Sequence, residues 1–177
     1  EDADAPSAAR RVLADKTGIE APYLEQLGTY SGADRDPGGW SLSVAYYALA
    51  PRGQVEASGM KGRWLDVDRS SRLAFDHAEI VGDAVERIRN KSAYSSLPAF
   101  LAGERFTMSQ LQAVYEQVLG TSIDKVSFRR RMAEIDAIEP IDGLFSSGQN
   151  SRPAQIYRIK PALKSGLGVL ARGFGGR

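Results

Sequence analysis

The densest run of chemistry-bearing side chains is "DKVSFRRRMAEIDAI", residues 124–138. On a helical wheel at 100° per residue, Phe128, Met132 and Ile135 cluster within about 60° and form the expected buried stripe. Val126, Ser127, Arg129 and Arg130 then face outward, with Lys125 at the helix start and Arg131 flanking the core. Arginine forks pair bidentately with guanine and with phosphate, and a recognition helix reads bases from its N-terminal residues. Polyanion recognition is the chemistry that this pattern permits; a solvated basic helix face is the plainer alternative. A second polar cluster follows at Ser146, Ser147, Gly148, Gln149, Asn150, Ser151 and Arg152. Its amides, hydroxyls and one cation suit a loop that follows a phosphate backbone or enters a minor groove. An ordinary surface loop looks the same in isolation.

Other chemistries are excluded by what the chain lacks. Of its 177 residues none is cysteine and one, His77, is histidine. That removes a disulfide scaffold, a thiol nucleophile and any Cys-ligated or multi-histidine metal site, and it disfavours a Ser-His-Asp triad. No run approaches the ~18 apolar residues of a membrane helix, and no cationic-then-apolar signal opens the chain, so the expected compartment is the cytoplasm.

The elements that position these residues are legible in the second half. Phe106 precedes "TMSQLQAVYEQVLG", where Thr107 and Gln110 fit a capping box and Gly120 stops the helix. "TSI" is a turn, Asp124 the N-cap of the next helix, and "EPID" and "QIYRIK" two short strands around "GLFSSGQNSRPA". Helix, turn, helix, hairpin is the order of a winged helix-turn-helix. In the first half, Ala5 to Lys16 reads as a helix with Pro6 in its first turn and Gly18 past its end. "PYLEQLGTY" and "WSLSVAYYALA" read as strands joined by the turn-rich "SGADRDPGG". "PRGQ" reads as a turn leading into extended pieces around Val55 and "GRWLDV". "DHAEIVGDAVERIRN" is an amphipathic helix with His77, Val81, Ala84, Val85 and Ile88 on one stripe, and "KSAYSS" breaks it as a domain boundary. His77 is expected to pack at the helix start, and Trp40 and Trp64 to be core or interface aromatics, one of them able to stack on an adenine.

The net charge of +1 conceals an asymmetry. Residues 1–93 hold 12 Lys/Arg against 15 Asp/Glu, giving −3, and residues 94–177 hold 11 against 7, giving +4. Only the second half is therefore expected to meet a polyanion.

"RRVLADKTGI" resembles the end of a Nudix box, G-x5-E-x7-R-E-U-x-E-E-x-G-U. With Gly18 and Ile19 on the final two positions, Arg11 takes the Arg place and Leu13 the apolar one. The four Glu places hold Ala3, Val12, Asp15 and Lys16. A Nudix hydrolase needs several carboxylates here to hold the divalent cations that activate water, so metal-dependent hydrolysis is not expected.

Both halves together resemble the Nudix-related regulators of bacterial NAD metabolism, the NrtR family. The resemblance runs through "EDADAPSAARRVLADKTGI", "LEQLGTYSGADRDPGGWSLSVAYYAL", "LAFDHAEIVGDAVERIR", "FTMSQLQAVYEQVLGTSIDKVSFRRRM" and "SRPAQIYRI", about residues 1–160. "AFDHAEI" followed by "DKVSFRRR" is its most specific part. It implies an α+β chain: a Nudix-like sensor over residues 1–92 with a linker helix at 76–90 and a winged helix-turn-helix over 93–160. Outside the resemblance, the glycine content and cations of "PALKSGLGVLARGFGGR" lead us to expect a flexible tail over 161–177. Strands ahead of the box helix are implied too, so a stretch preceding Glu1 is expected. The resemblance further implies a homodimer on palindromic double-stranded operator DNA of NAD biosynthesis or salvage genes, with ADP-ribose as effector and no metal or other cofactor. The DNA-binding set is then Lys125, Ser127, Arg129, Arg130, Arg131, Gln149, Asn150 and Arg152. The effector set is Arg10 and Arg11 on a pyrophosphate, Lys16 in place of a metal's charge, and Arg35 and Asp36 at the cleft. An ion pair between Arg11 and Asp15 is the structural alternative. An active pyrophosphohydrolase acting on ADP-ribose or a related nucleotide remains the rival function, and a basic scaffold protein a third.

Overall fold

The computed structural model describes residues 2–60, 62, 65–67, 73–146, 153–163 and 166–170. The chain divides into two compact units, Glu1–Ile88 and Arg89–Arg177.

In the first unit, α1 (Ala5–Thr17) begins at Asp4, whose side chain accepts from the Ser7 N–H at 2.8 Å. It ends at Gly18, left-handed at φ 68°, where a side chain would be strained. β1 (Tyr23–Gly32) and β2 (Ser41–Leu49) pair antiparallel, from Tyr23 opposite Leu49 to Gly32 opposite Ser41, with an irregularity between Gln26 and Gly28. Ile19, Leu27, Tyr47 and Leu49 are the buried apolar residues of this unit among those described. The "PRGQ" stretch departs from expectation. Arg52–Ala57 is a short helix, α2, in which Arg52 and Glu56 pair at 2.7 Å across one turn, so Val55 is helical and not extended. Trp40 is not in the core: it is 68% exposed. Trp64 lies outside the described residues.

α3 (His77–Ser92) carries half-buried Val81, Ala84, Val85 and Ile88, as the apolar stripe requires. His77 is exposed, its ring meeting Phe75 edge-on at 5.8 Å between centroids, so it does not pack beneath the unit. The helix also runs two residues beyond Asn90, and the second unit begins inside it, at Arg89. "KSAYSS" is packed within the second unit: Ser92, Ser95 and Ser96 are buried, and Ser95 Oγ donates to the Lys91 carbonyl at 2.6 Å.

In the second unit a 3-10 turn at Leu97–Leu101 precedes β3 (Phe106–Thr107), α4 (Met108–Leu119), α5 (Lys125–Ile135), β4 (Ile138–Phe145) and β5 (Gln155–Ile159). The sheet order is β3-β5-β4, antiparallel throughout. Phe106, Leu111, Tyr115, Phe128, Met132, Ile135 and Ala137 form one apolar core. The buried Tyr115 hydroxyl donates to the Ser95 carbonyl at 2.8 Å, and its ring meets Phe128 edge-on at 5.3 Å.

Part of the expected tail is docked. Pro161–Leu163 forms a 3-10 turn, Val169 bridges Ser95, and Leu170 enters the core. Gly168 and Ser96 exchange bonds at 2.9 and 3.0 Å, and a Cβ on Gly168 would stand 2.7 Å from both Ile135 Cγ2 and the Ile135 carbonyl oxygen. This closeness requires glycine at the base of α5. Glycine content read as mobility was, over 166–170, a packing requirement.

Candidate nucleic-acid interface and anion-facing arginines

Local chemistry places α5. The Thr107 side chain accepts from Gln110 N–H at 3.2 Å and Gln110 Oε1 accepts from Thr107 N–H at 2.8 Å, closing the capping box that starts α4. Gly120, at φ 67°, ends it. Glu116 Oε1 then accepts from the Ile123 N–H at 2.8 Å while Gln112 Nε2 donates to the Ile123 carbonyl at 2.7 Å. These two side chains of α4 fix the turn that aims α5, and the bond from Ile123 holds the Glu116 carboxyl below its usual pKa range. Asp124 Oδ1 accepts from Ser127 N–H at 2.9 Å, which caps α5 and lowers the Asp124 pKa. Both caps were legible from residue type and spacing; the Glu116–Gln112 brace has only an i, i+4 polar pair as its signal.

The α5 wheel is realised as expected. Phe128, Met132 and Ile135 are buried, Lys125, Val126, Arg129 and Arg130 exposed, and Ser127 and Arg131 half-buried. Arg130 and Glu134 stand 3.8 Å apart on the surface, a contact too long and wet to hold the guanidinium. The outer face of α5 therefore presents donors on a rigid support. Gln149, Asn150 and Arg152 lie outside the described residues. The base of their loop is closed by Ser146 N–H on the Ala154 carbonyl at 2.8 Å and by Ala154 N–H on Ser146 Oγ at 3.1 Å.

The residues read as an effector set fall into two groups with different partners. On α1, Arg10 and Lys16 are exposed, and Arg11 is divided between Asp2 at 2.8 Å and Asp15 at 3.2 Å. The ion-pair alternative for Arg11 is thus the geometry observed, and the guanidinium lowers the Asp2 pKa. In the β1–β2 loop, Arg35 Nε bonds Asp76 at 2.7 Å, both side chains less than a fifth exposed, and its Nη1 donates to Ser43 Oγ at 2.9 Å and Ser41 Oγ at 3.3 Å. This holds the Asp76 carboxyl below its usual range. Asp36 Oδ1 accepts from the Gly38 N–H at 2.7 Å and so shapes its own turn. The Asp76 partner, 41 residues from Arg35, gave no sign in the sequence. Two further contacts tie the sheet to α3: Tyr30 donates to Asp83 at 2.8 Å, and Arg87 reaches Glu25 at 3.3 Å and the Leu27 carbonyl at 3.4 Å.

Residues 98–159 match the family model described as the NrtR DNA-binding winged helix domain. The chain is 40% identical over 165 residues to the ADPR responsive transcriptional repressor NtrR of Acinetobacter baylyi, covering 90% of this chain and 65% of that protein. The crystal structure of Shewanella oneidensis NrtR complexed with a 27mer DNA is 36% identical, with TM-score 0.83, over 97% of this chain and 79% of that one. The chain belongs to the NrtR family. Its fold is accordingly α+β, a Nudix-like part followed by a winged helix-turn-helix. A MutT/nudix family protein from Enterococcus faecalis shares that fold at TM-score 0.64 and 23% identity, over 89% of this chain and 70% of that one. An ADP-ribose pyrophosphatase of Methanocaldococcus jannaschii is 31% identical over 75 residues, 41% of this chain and 44% of the enzyme. The chain thus spans just under two thirds of the Acinetobacter relative's length and less than half of the archaeal one's. No helix among the described residues is long and apolar enough to cross a membrane.

Proposed function

We propose that the protein is a cytoplasmic, dimeric transcriptional repressor that binds palindromic operators of NAD biosynthesis or salvage genes and responds to ADP-ribose without hydrolysing it. The observation that carries this reading is α5 itself. Its inner face is sealed in the winged core, and Lys125, Arg129 and Arg130 stand exposed on the other side. Arg129 and Arg130 address base edges, Lys125 and Ser127 the backbone at the helix start, Arg131 a flanking phosphate, and Gln149, Asn150 and Arg152 the wing contacts. One winged domain reads a half-site, so two-fold related half-sites call for two copies. A ligand shifts such a repressor only through unequal affinity for its DNA-competent and DNA-incompetent states. An anionic diphosphate that recruits Arg35 would compete with Asp76 and loosen the join between the β1–β2 loop and α3. Arg10, Arg11, Lys16 and Asp36 complete the effector set on this reading.

Operator binding measured with the full-length protein, alone and with ADP-ribose or NAD, is the test. Arg130→Ala is expected to cost about 1–3 kcal/mol and to relax selectivity at one base pair, and Lys125→Ala to weaken all sequences alike with a flatter salt dependence. Unchanged affinity in an Arg129→Ala/Arg130→Ala double variant would remove the groove assignment. Unchanged affinity at saturating ADP-ribose, with ligand binding confirmed, would remove the switch alone. The archaeal pyrophosphatase similarity favours one competing reading, hydrolysis of ADP-ribose. Val12 and Lys16 at carboxylate places of the box speak against it, and turnover with magnesium or manganese at ordinary enzymatic rates would establish it.

A further inference from the structure

Val126 is 76% exposed, the most solvent-facing large apolar side chain among the described residues. It is the second residue of α5, in the same first turn as Lys125 and Ser127. At 100° per residue it points about 150° away from the centre of the Phe128, Met132 and Ile135 stripe and about 40° from Arg130. A β-branched residue there gains no packing and forms helix less readily than alanine. Its methyl groups also offer nothing to a phosphate oxygen, so a purely electrostatic DNA surface has no use for it. The major-groove edge of a base pair carries one apolar feature, the C5-methyl of thymine.

We propose that Val126 is a specificity-determining residue that reads a thymine methyl in the major groove. The inference rests on the DNA-binding reading above. Residues four apart on a helix have Cβ atoms about 5–6 Å apart. With base pairs rising about 3.4 Å each, Val126 and Arg130 address positions one to two steps apart. An aliphatic contact beside an arginine fork thus reads a thymine next to a guanine.

The test starts from duplexes enriched by the full-length protein out of a randomised double-stranded pool. Each thymine of an enriched duplex is then replaced singly by uracil, which deletes only the methyl. Affinities are measured for the unaltered chain, Val126→Ala and Val126→Ile. One replacement per half-site is expected to weaken the unaltered chain about fourfold, the worth of one buried methyl group, and both together about fifteenfold. Val126→Ile keeps that dependence. Val126→Ala loses it, binding thymine and uracil duplexes equally while other positions stay selective; alanine also preserves the helix. A duplex that is enriched yet indifferent to every uracil, or an alanine variant with the same uracil profile, overturns the inference and leaves DNA binding standing. Failure to enrich any duplex overturns both.

Discussion

In the unit Arg89–Arg177 the most deeply buried side chains include large apolar ones: Phe106, Leu111, Tyr115 and Phe128 are at most 1% exposed. Among the described residues of Glu1–Ile88 the buried apolar set is Ile19, Leu27, Tyr47 and Leu49. There polar contacts span long sequence separations: Arg35 with Asp76, Tyr30 with Asp83 and Arg87 with Glu25. An apolar core is indifferent to ions in solution, so the packing beneath α5 persists whatever anion is present. Charge pairs near the surface are screened by salt and displaced by a competing anion. The chain places adjustable bonds where a charged metabolite is proposed to act and fixed packing where DNA is proposed to be read.

That contrast breaks most sharply at Phe128. Phe128→Ala is expected to cost about 3–5 kcal/mol, because the cavity lies at the junction of α4 and α5; chemical denaturation followed in the second unit measures it. Gly168→Ala comes next, at about 1–3 kcal/mol, since the new methyl must push against the Ile135 backbone. Its thermal unfolding should fall while the first unit's hydrogen exchange is unchanged. Asp76→Asn sharpens the other side of the comparison. Exchange protection in β1 and β2 is expected to fall with the Arg35 bond weakened, and added salt should mimic the variant in the unaltered chain but leave the second unit untouched.

The smallest effect is titration of Glu116. Its folded pKa is lowered from an ordinary value of 4.5, so its contribution is complete above that value and disappears as pH falls through the lowered one. Stability of the second unit should therefore decline on the acid side of about pH 4.5 and do so less in Glu116→Gln. Equal acid sensitivity in the two proteins would show that the Ile123 bond does not set the turn.

The parts of the fold legible in the sequence are those governed by neighbours along the chain. Thr107 and Gln110, Gly120, Asp124 and the Phe128, Met132, Ile135 stripe each state their role within one or two helical turns, and α4 and α5 follow from them. Arg52–Ala57 was hidden because Pro51 and Gly53 signal a turn, while the compensating Arg52–Glu56 pair becomes decisive only once the helix exists. Arg35 was legible as a charged loop residue but not as a partner of Asp76, since nothing local marks a bond across 41 positions. The exposure of His77 was missed, and of the two places expected for Trp40, core or interface, its exposure removes the first; residue type gives a preference for burial, and the surrounding topology decides it.

The strand-like segment at Gly168–Leu170 also sets an order of events during synthesis. Gly168 meets Ser96 across 72 positions, so its bonds cannot form until almost the whole second unit has left the ribosome. α4 and α5, closed by contacts within one or two turns, are able to form earlier and quickly. The seat beneath Ile135 is filled last, by the part of the described chain made last. A nascent chain thus displays its basic helix before that helix is locked, and final closure of the winged unit coincides with arrival of Leu170 in the core.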